Sequence, residues 1–160
     1  GAVVKIDEQD LLAIVVQTSL TRTIFRDLKT RHQVILPNTT VRNSKLEVLS
    51  RGAASGLLEF VHFTIGYGVT VTQVESLLHT VWVKACEQSS AINADREPEI
   101  SLVETGDHGV SWRLGYKLKN LYKMLEVECL LKRIAYEQSQ EQQIELQTPL
   151  THKVELAEKP

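Results

Sequence analysis

Residues 34–51 read VILPNTTVRNSKLEVLSR, and this stretch decides how the first third of the chain is assigned. A β-branched and aliphatic run stops at Pro37-Asn38, a second one starts near Lys45, and the segment ends on Ser50-Arg51. Proline has no amide hydrogen to donate to a ladder and fixes its own φ, and asparagine tolerates the left-handed region, so the pair ends a strand at a turn. The reading is β-turn-β. Working outward, VVKI, AIVVQTSLTRTIF, QVIL and KLEVL are short strand-forming runs separated by polar residues, with no helical periodicity before about Leu49. Several short strands in so little chain predict a small barrel or sandwich. The small-residue segment Gly52-Ala-Ala-Ser-Gly56 then marks a boundary.

Beyond it the pattern changes. Leu58 to Ile65 alternates, with Val61, Phe63 and Ile65 on one face and Phe60, His62 and Thr64 on the other. Thr72-Gln-Val-Glu75 has the form of a capping box and opens a helix with Val74, Leu77, Leu78, Val81, Trp82 and Ala85 at helical spacing. After a loop from Ser89 to Pro98, Ile100–Val103 forms a strand. A turn at Thr105-Gly-Asp-His108 returns it as a second one, with Val110, Trp112, Leu114 and Tyr116 on one face. A second helix from about Lys119 to Gln138 and a short strand at Ile144 to Leu146 complete the order β-α-β-β-α-β, that of a ferredoxin-like split βαβ sandwich. The fold class is therefore α+β. The expected units are a small β barrel over 1–52, a ferredoxin-like domain over 56–148, and a tail over 149–160 whose HKVEL strand needs a partner from elsewhere.

The composition is that of an ordinary globular chain: 160 residues, 42% hydrophobic and 24% charged, with room for a sizeable core. No uncharged apolar run approaches the roughly 20 residues that span a bilayer. The opening at Gly1, without Met or a signal-like run, reads as a piece of something longer. Cys86 and Cys129 lack zinc or redox spacing and read as reduced, mostly buried thiols. The net charge of −2 conceals an asymmetry. Between Arg22 and Arg51 seven cations (Arg22, Arg26, Lys29, Arg31, Arg42, Lys45, Arg51) face only Asp27 and Glu47, a net of +5, which leaves −7 for the rest. Such a stretch is a solvated basic face or a surface for nucleic acid or anionic lipid.

No catalytic, cofactor or metal site emerges. The chain has no Gly-rich phosphate loop, HExxH, nucleophile elbow or CxxC. Asp107-His108 reads as a solvated turn rather than a general base, no histidine pair has metal-ligand spacing, and Trp82 and Trp112 read as core. Neither an enzyme nor a cofactor is expected.

The opening stretch nevertheless resembles the end of the β domain in the small-conductance mechanosensitive channel (MscS) family, where a strand runs into Ile/Leu-Pro-Asn and the next closes on Ser-Arg. The matching residues are Leu36, Pro37, Asn38, Ser50 and Arg51. Gly1-Ala-Val-Val-Lys-Ile is similar to the strand after the family's pore helix, Thr23-Ile-Phe-Arg26 to its threonine-rich strand, and Phe63-Thr-Ile-Gly-Tyr67 to the start of its α/β domain. Ile144-Glu-Leu-Gln-Thr-Pro149 with HKVEL is similar to its closing strands. Three positions depart: Lys29-Thr-Arg-His32 replaces a glycine-containing turn, a glycine is missing near Ala13, and Gly68 stands where the family has Asp.

The resemblance implies an Sm-like β domain and a ferredoxin-like domain in the cytoplasmic cage of a multi-pass channel in the cell membrane, its pore and gate helices absent from this sequence. It implies a homoheptamer that passes ions and small solutes under tension during osmotic stress. Arg22, Arg26, Lys29, Arg31, Arg42 and Lys45 would then lie next to anionic lipid headgroups. Two rivals remain from the residues themselves. One is an RNA-binding module, against which stand the missing Gly-Phe/Tyr-Gly-Phe-Val pattern and the negative total charge, so that no nucleic acid is expected; the other is a ligand-sensing regulatory domain.

Overall fold

The computed structural model describes residues 1–49 and 56–146. Ser50, Arg51, the boundary segment up to Ser55 and the tail from Gln147 onward lie outside the described residues. The first sheet is antiparallel, with five strands in the order β4-β3-β2-β1-β5: β1 Val3–Ile6, β2 Leu11–Thr18, β3 Arg22–Asp27, β4 Gln33–Pro37 and β5 Leu46–Val48. Its inward face buries Val4, Ile6, Leu11, Ala13 and Phe25, against which Val15, Val34, Leu36 and Val41 pack. A register shift between Val15 and Gln17 where β2 meets β3 turns Val16 outward.

Residues 34–51 depart from the expected turn. The strand does end at Pro37, but Asn38–Asn43 form a short helix, α1. Thr39, Thr40 and Val41 are poor helix formers, so tertiary contacts hold this element. Val41 lies against the small core, and Asn38 ties the first turn to the β2–β3 connection. The Asn38 backbone amide donates to Thr21 O at 2.9 Å, its Nδ2 donates to Ser19 O at 2.8 Å and Leu20 O at 3.1 Å, and its Oδ1 accepts from the Thr23 hydroxyl at 2.8 Å.

The second sheet has the order β6-β8-β7, all antiparallel, from β6 Leu57–Ile65, β7 Glu99–Gly106 and β8 Gly109–Leu118. Two helices, α2 Val71–Gln88 and α3 Met124–Glu141, bury their apolar stripes on one face of it. The six α2 residues picked out by spacing are the six it buries. Its cap lies two residues earlier than the sequence suggests: the Thr70 hydroxyl accepts from Gln73 N at 3.3 Å, and Gln73 Oε1 accepts from Thr70 N at 2.9 Å. Thr72 sits inside the helix. The expected last strand is reduced, among the described residues, to one antiparallel bridge between Leu146 and Ile65. Trp82 and Trp112 are core residues, 6% and 3% exposed. Cys86 is half-buried, and burial pushes its thiol up to about 11. Cys129 is exposed on α3, contrary to expectation, because it falls outside the Val127, Leu131, Ile134 stripe.

The two sheets are not independently packed. Val3 and Leu12 belong to the larger core, with Ile14, Leu28 and Leu49 packed on it, so one side of the first sheet closes over the second unit.

Candidate functional site: a basic edge and an acidic seam

Strand alternation decides where the basic residues point. Thr23 and Phe25 are buried, so Arg22 and Arg26 project together from the other face of β3, opposite Pro37 and Gln33 of β4. Lys29 and Arg31 lie in the β3–β4 connection. There the Asp27 carboxylate accepts from Lys29 N at 2.7 Å and from the Thr30 hydroxyl at 3.1 Å, and Arg31 takes φ 64, the left-handed conformation for which glycine is the usual choice. The left-handed position of this turn is held by an arginine. Arg42 lies on α1 and Lys45 precedes β5.

Their charges are not equivalent. Lys29 Nζ contacts Asp10 at 2.9 Å, and Lys45 Nζ bridges Glu47 at 2.8 Å and Asp7 at 3.1 Å. Lys5 completes the network on Asp7 at 3.0 Å. The Glu47 and then Asp7 carboxylates raise the pKa of Lys45, and the Lys5 and Lys45 ammonium groups lower that of Asp7. Arg22, Arg26, Arg31 and Arg42 make no ion pair with any described residue. Arg26 and Arg31, with Gln33 and Tyr122, line an open groove of about 430 Å³. Of the six basic residues singled out in the sequence, then, three arginines gather on and beside β3, Arg42 stands apart on α1, and two lysines are consumed locally. Of the five motif residues, Leu36 packs on the small core, Pro37 ends β4 and Asn38 is the clamp just described. Ser50 and Arg51 lie outside the described residues.

Sequence reasoning missed a second place, at the seam between the two sheets. A cavity of about 320 Å³ is lined by Leu11 and Leu12 from β2, Glu59 and Tyr116 from the second sheet, Met124, Leu125 and Glu128 from α3, and also by Lys5, Asp10, Lys29 and Glu47. Glu59 and Tyr116 are directly paired across β6 and β8. Burial, then the Glu128 carboxylate, raises the pKa of half-buried Glu59 above the ordinary carboxylate value, with Lys5 opposing and Glu47 adding. Burial, then the Glu59 and Glu128 carboxylates, raises that of Tyr116. The one available signal was Glu59 itself, a charged residue in register with Val61, Phe63 and Ile65 on the helix-covered face.

The described fold is two antiparallel sheets, the second covered on one face by two helices. Two channels among solved structures share it. The crystal structure of Helicobacter pylori MscS in its closed state superposes with a TM-score of 0.64 at 18% identity, over 100% of this chain and 58% of that one. The cryo-EM structure of wild-type AtMSL1 gives 0.58 at 12% identity, over 92% and 50%, and another of Arabidopsis thaliana MSL1 gives 0.52 at 12%, over 92% and 52%. The chain thus spans between half and three fifths of those chains. No family model and no curated protein sequence matches it. No described helix is long and apolar enough to cross a membrane.

Proposed function

We propose that this chain is the cytoplasmic cage portion of a mechanosensitive channel of the MscS type, residing in the cell membrane through helices outside the present sequence. The observation that carries the reading is the superposition on Helicobacter pylori MscS along 100% of this chain at TM-score 0.64. In this reading residues 1–52 form an Sm-like β domain, 56–148 a ferredoxin-like α/β domain, and 149–160 a strand completed by sister copies in a homoheptamer. The first sheet's strand order and the β6-β8-β7 order with its Leu146 bridge support the two domain types. Ions and small solutes would pass through the cage, and the protein is not an enzyme.

The basic edge takes the membrane-proximal position. Arg22, Arg26, Arg31 and Arg42 supply the attraction to anionic headgroups, on the order of 1 kcal/mol each near a charged leaflet. Lys29 and Lys45, neutralised by Asp10, Asp7 and Glu47, contribute little. The test is patch-clamp recording of the full-length protein encoded with this chain, in a host lacking its own tension-gated channels. Conductance that opens with suction is the expected result. Its absence in a protein shown to reach the membrane overturns the proposal.

A further inference from the structure

One residue of β6 is out of keeping with the face it shares. Glu59 is in register with Val61, Phe63 and Ile65, is half-buried, and makes no hydrogen bond or ion pair with a described residue. It lines the seam cavity, where Leu11 and Leu12 of the first sheet meet Met124 and Leu125 of α3. The other carboxylates of that wall each have an ammonium group: Glu128 contacts Lys132 at 2.5 Å, Glu47 contacts Lys45 at 2.8 Å and Asp10 contacts Lys29 at 2.9 Å. Both lysines of the wall are engaged in turn, Lys29 on Asp10 and Lys5 on Asp7 at 3.0 Å. Tyr116, paired with Glu59 across β6 and β8, has its phenol pKa raised and stays neutral. Among the described residues, Glu59 is thus the charged group of the wall left without a partner, and it sits where the two sheets join.

We propose that Glu59 makes the joint between the two sheets pH-sensitive: the contact of β2 with α3 loosens when the carboxylate is ionised and tightens when it is protonated. A half-buried carboxylate without a cation is costly in its charged form and far less so in its neutral form. Ionised, it requires hydration, and about 320 Å³ is room enough for water between the apolar walls. Protonated, it has no such requirement, and Leu11 and Leu12 are free to close on Met124 and Leu125. Burial and then the Glu128 carboxylate hold the proton above the ordinary carboxylate value, with Lys5 opposing and Glu47 adding. The tight form therefore prevails at acid pH and is lost as pH rises through that raised value. The joint lies within this chain, so its behaviour is independent of whether the parent protein conducts.

The experiment is an NMR titration of the isotope-labelled chain from about pH 4 to about pH 8, a range that spans the ordinary carboxylate value and its raised counterpart. Two signals are followed together: the Glu59 side-chain carboxyl carbon, and the nuclear Overhauser contacts between the methyl groups of Leu11 and Leu12 and those of Met124 and Leu125. Contacts between methyl groups of α2 and α3 serve as the internal reference, because those helices pack within the second unit. The cross-sheet contacts are expected to be strong at the acid end and to weaken or vanish as pH rises, with the midpoint of the Glu59 carboxyl, while the α2–α3 contacts hold. Glu59→Gln, which keeps the neutral shape at every pH, should show strong cross-sheet contacts throughout. Cross-sheet contacts that do not change with pH in the wild-type chain overturn the proposal. So does the same change persisting in Glu59→Gln, which would assign it to another group, or a parallel loss of the α2–α3 contacts, which would make it a general loosening of the chain.

Discussion

Asn38 ties the motif stretch to the β2–β3 connection through its side chain. Its amide holds Ser19 O, Leu20 O and the Thr23 hydroxyl, and Thr23 is only 6% exposed. Replacing it with alanine leaves the two turn carbonyls to water but strands the Thr23 hydroxyl. Asn38→Ala is expected to cost about 1–2 kcal/mol, read in urea denaturation as a lower midpoint at unchanged slope. Asn38→Asp keeps the acceptor for Thr23 but sets a carboxylate against two carbonyl oxygens, and should be at least as damaging. Glu59 points the other way. Its folded-state pKa is raised, so the folded chain holds that proton more tightly than the unfolded chain does, and the resulting stabilisation is present at acid pH and lost as pH rises through the folded value. At neutral pH the ionised group opposes folding, and Glu59→Gln should raise the melting temperature. At roughly 2–4 °C per kcal/mol for a chain of this length, the rise should be a few degrees, shrinking to nothing as pH falls below the ordinary carboxylate range. Neither role was legible in the sequence. Pro-Asn announces the end of a strand, but the partners of Asn38 lie 15 to 19 residues away, and the environment of Glu59 is made by α3 and β8.

At the scale of elements, what the sequence made legible is what period alone determines. The alternation of β6 and β8 and the spacing of α2 identify faces that are buried as expected, because one-sided burial leaves a period of two or 3.6 in the chain. Element ends follow another logic. Two threonines two residues apart, Thr70 and Thr72, each have Gln or Glu three positions on, so local pattern offers two capping boxes, and the choice falls to the one whose backbone leaves the helix. Thr70 is extended at φ −74, ψ 154, as a cap must be. Thr70→Ala is therefore expected to cost about 1 kcal/mol, while Thr72→Ala, on an exposed helical position, should be within about 0.5 kcal/mol of wild type. Paired thermal melts distinguish them. α1 escaped sequence reading for a related reason: its six residues, all but Arg42 of low helix propensity, carry no period, and the clamp and Val41 hold them.

On the scale of the whole molecule, the first sheet is amphipathic in charge as well as in burial. One side buries Val3 and Leu12 into the larger core, and β3 presents Arg22 and Arg26 away from the small core that Phe25 enters. Sequence counting placed seven cations in this region without distinguishing them, because ion pairing depends on Asp7 and Asp10, which lie well before it in the chain. This difference gives the basic edge a test that a general excess of positive charge would not pass. In co-sedimentation with vesicles of mixed phosphatidylserine and phosphatidylcholine at low salt, the triple substitution Arg22→Gln, Arg26→Gln, Arg31→Gln removes cations free to meet the surface. It should weaken binding by about 3 kcal/mol if all three reach the headgroup layer, more than a hundredfold. The pair Lys29→Gln, Lys45→Gln removes the same kind of charge but releases Asp10, Asp7 and Glu47, so on exposed sites its effect should come mainly from those freed carboxylates and stay within about tenfold. Equal losses from the two sets would mean that the surface responds to net charge alone and that the arginines on β3 have no privileged orientation toward lipid.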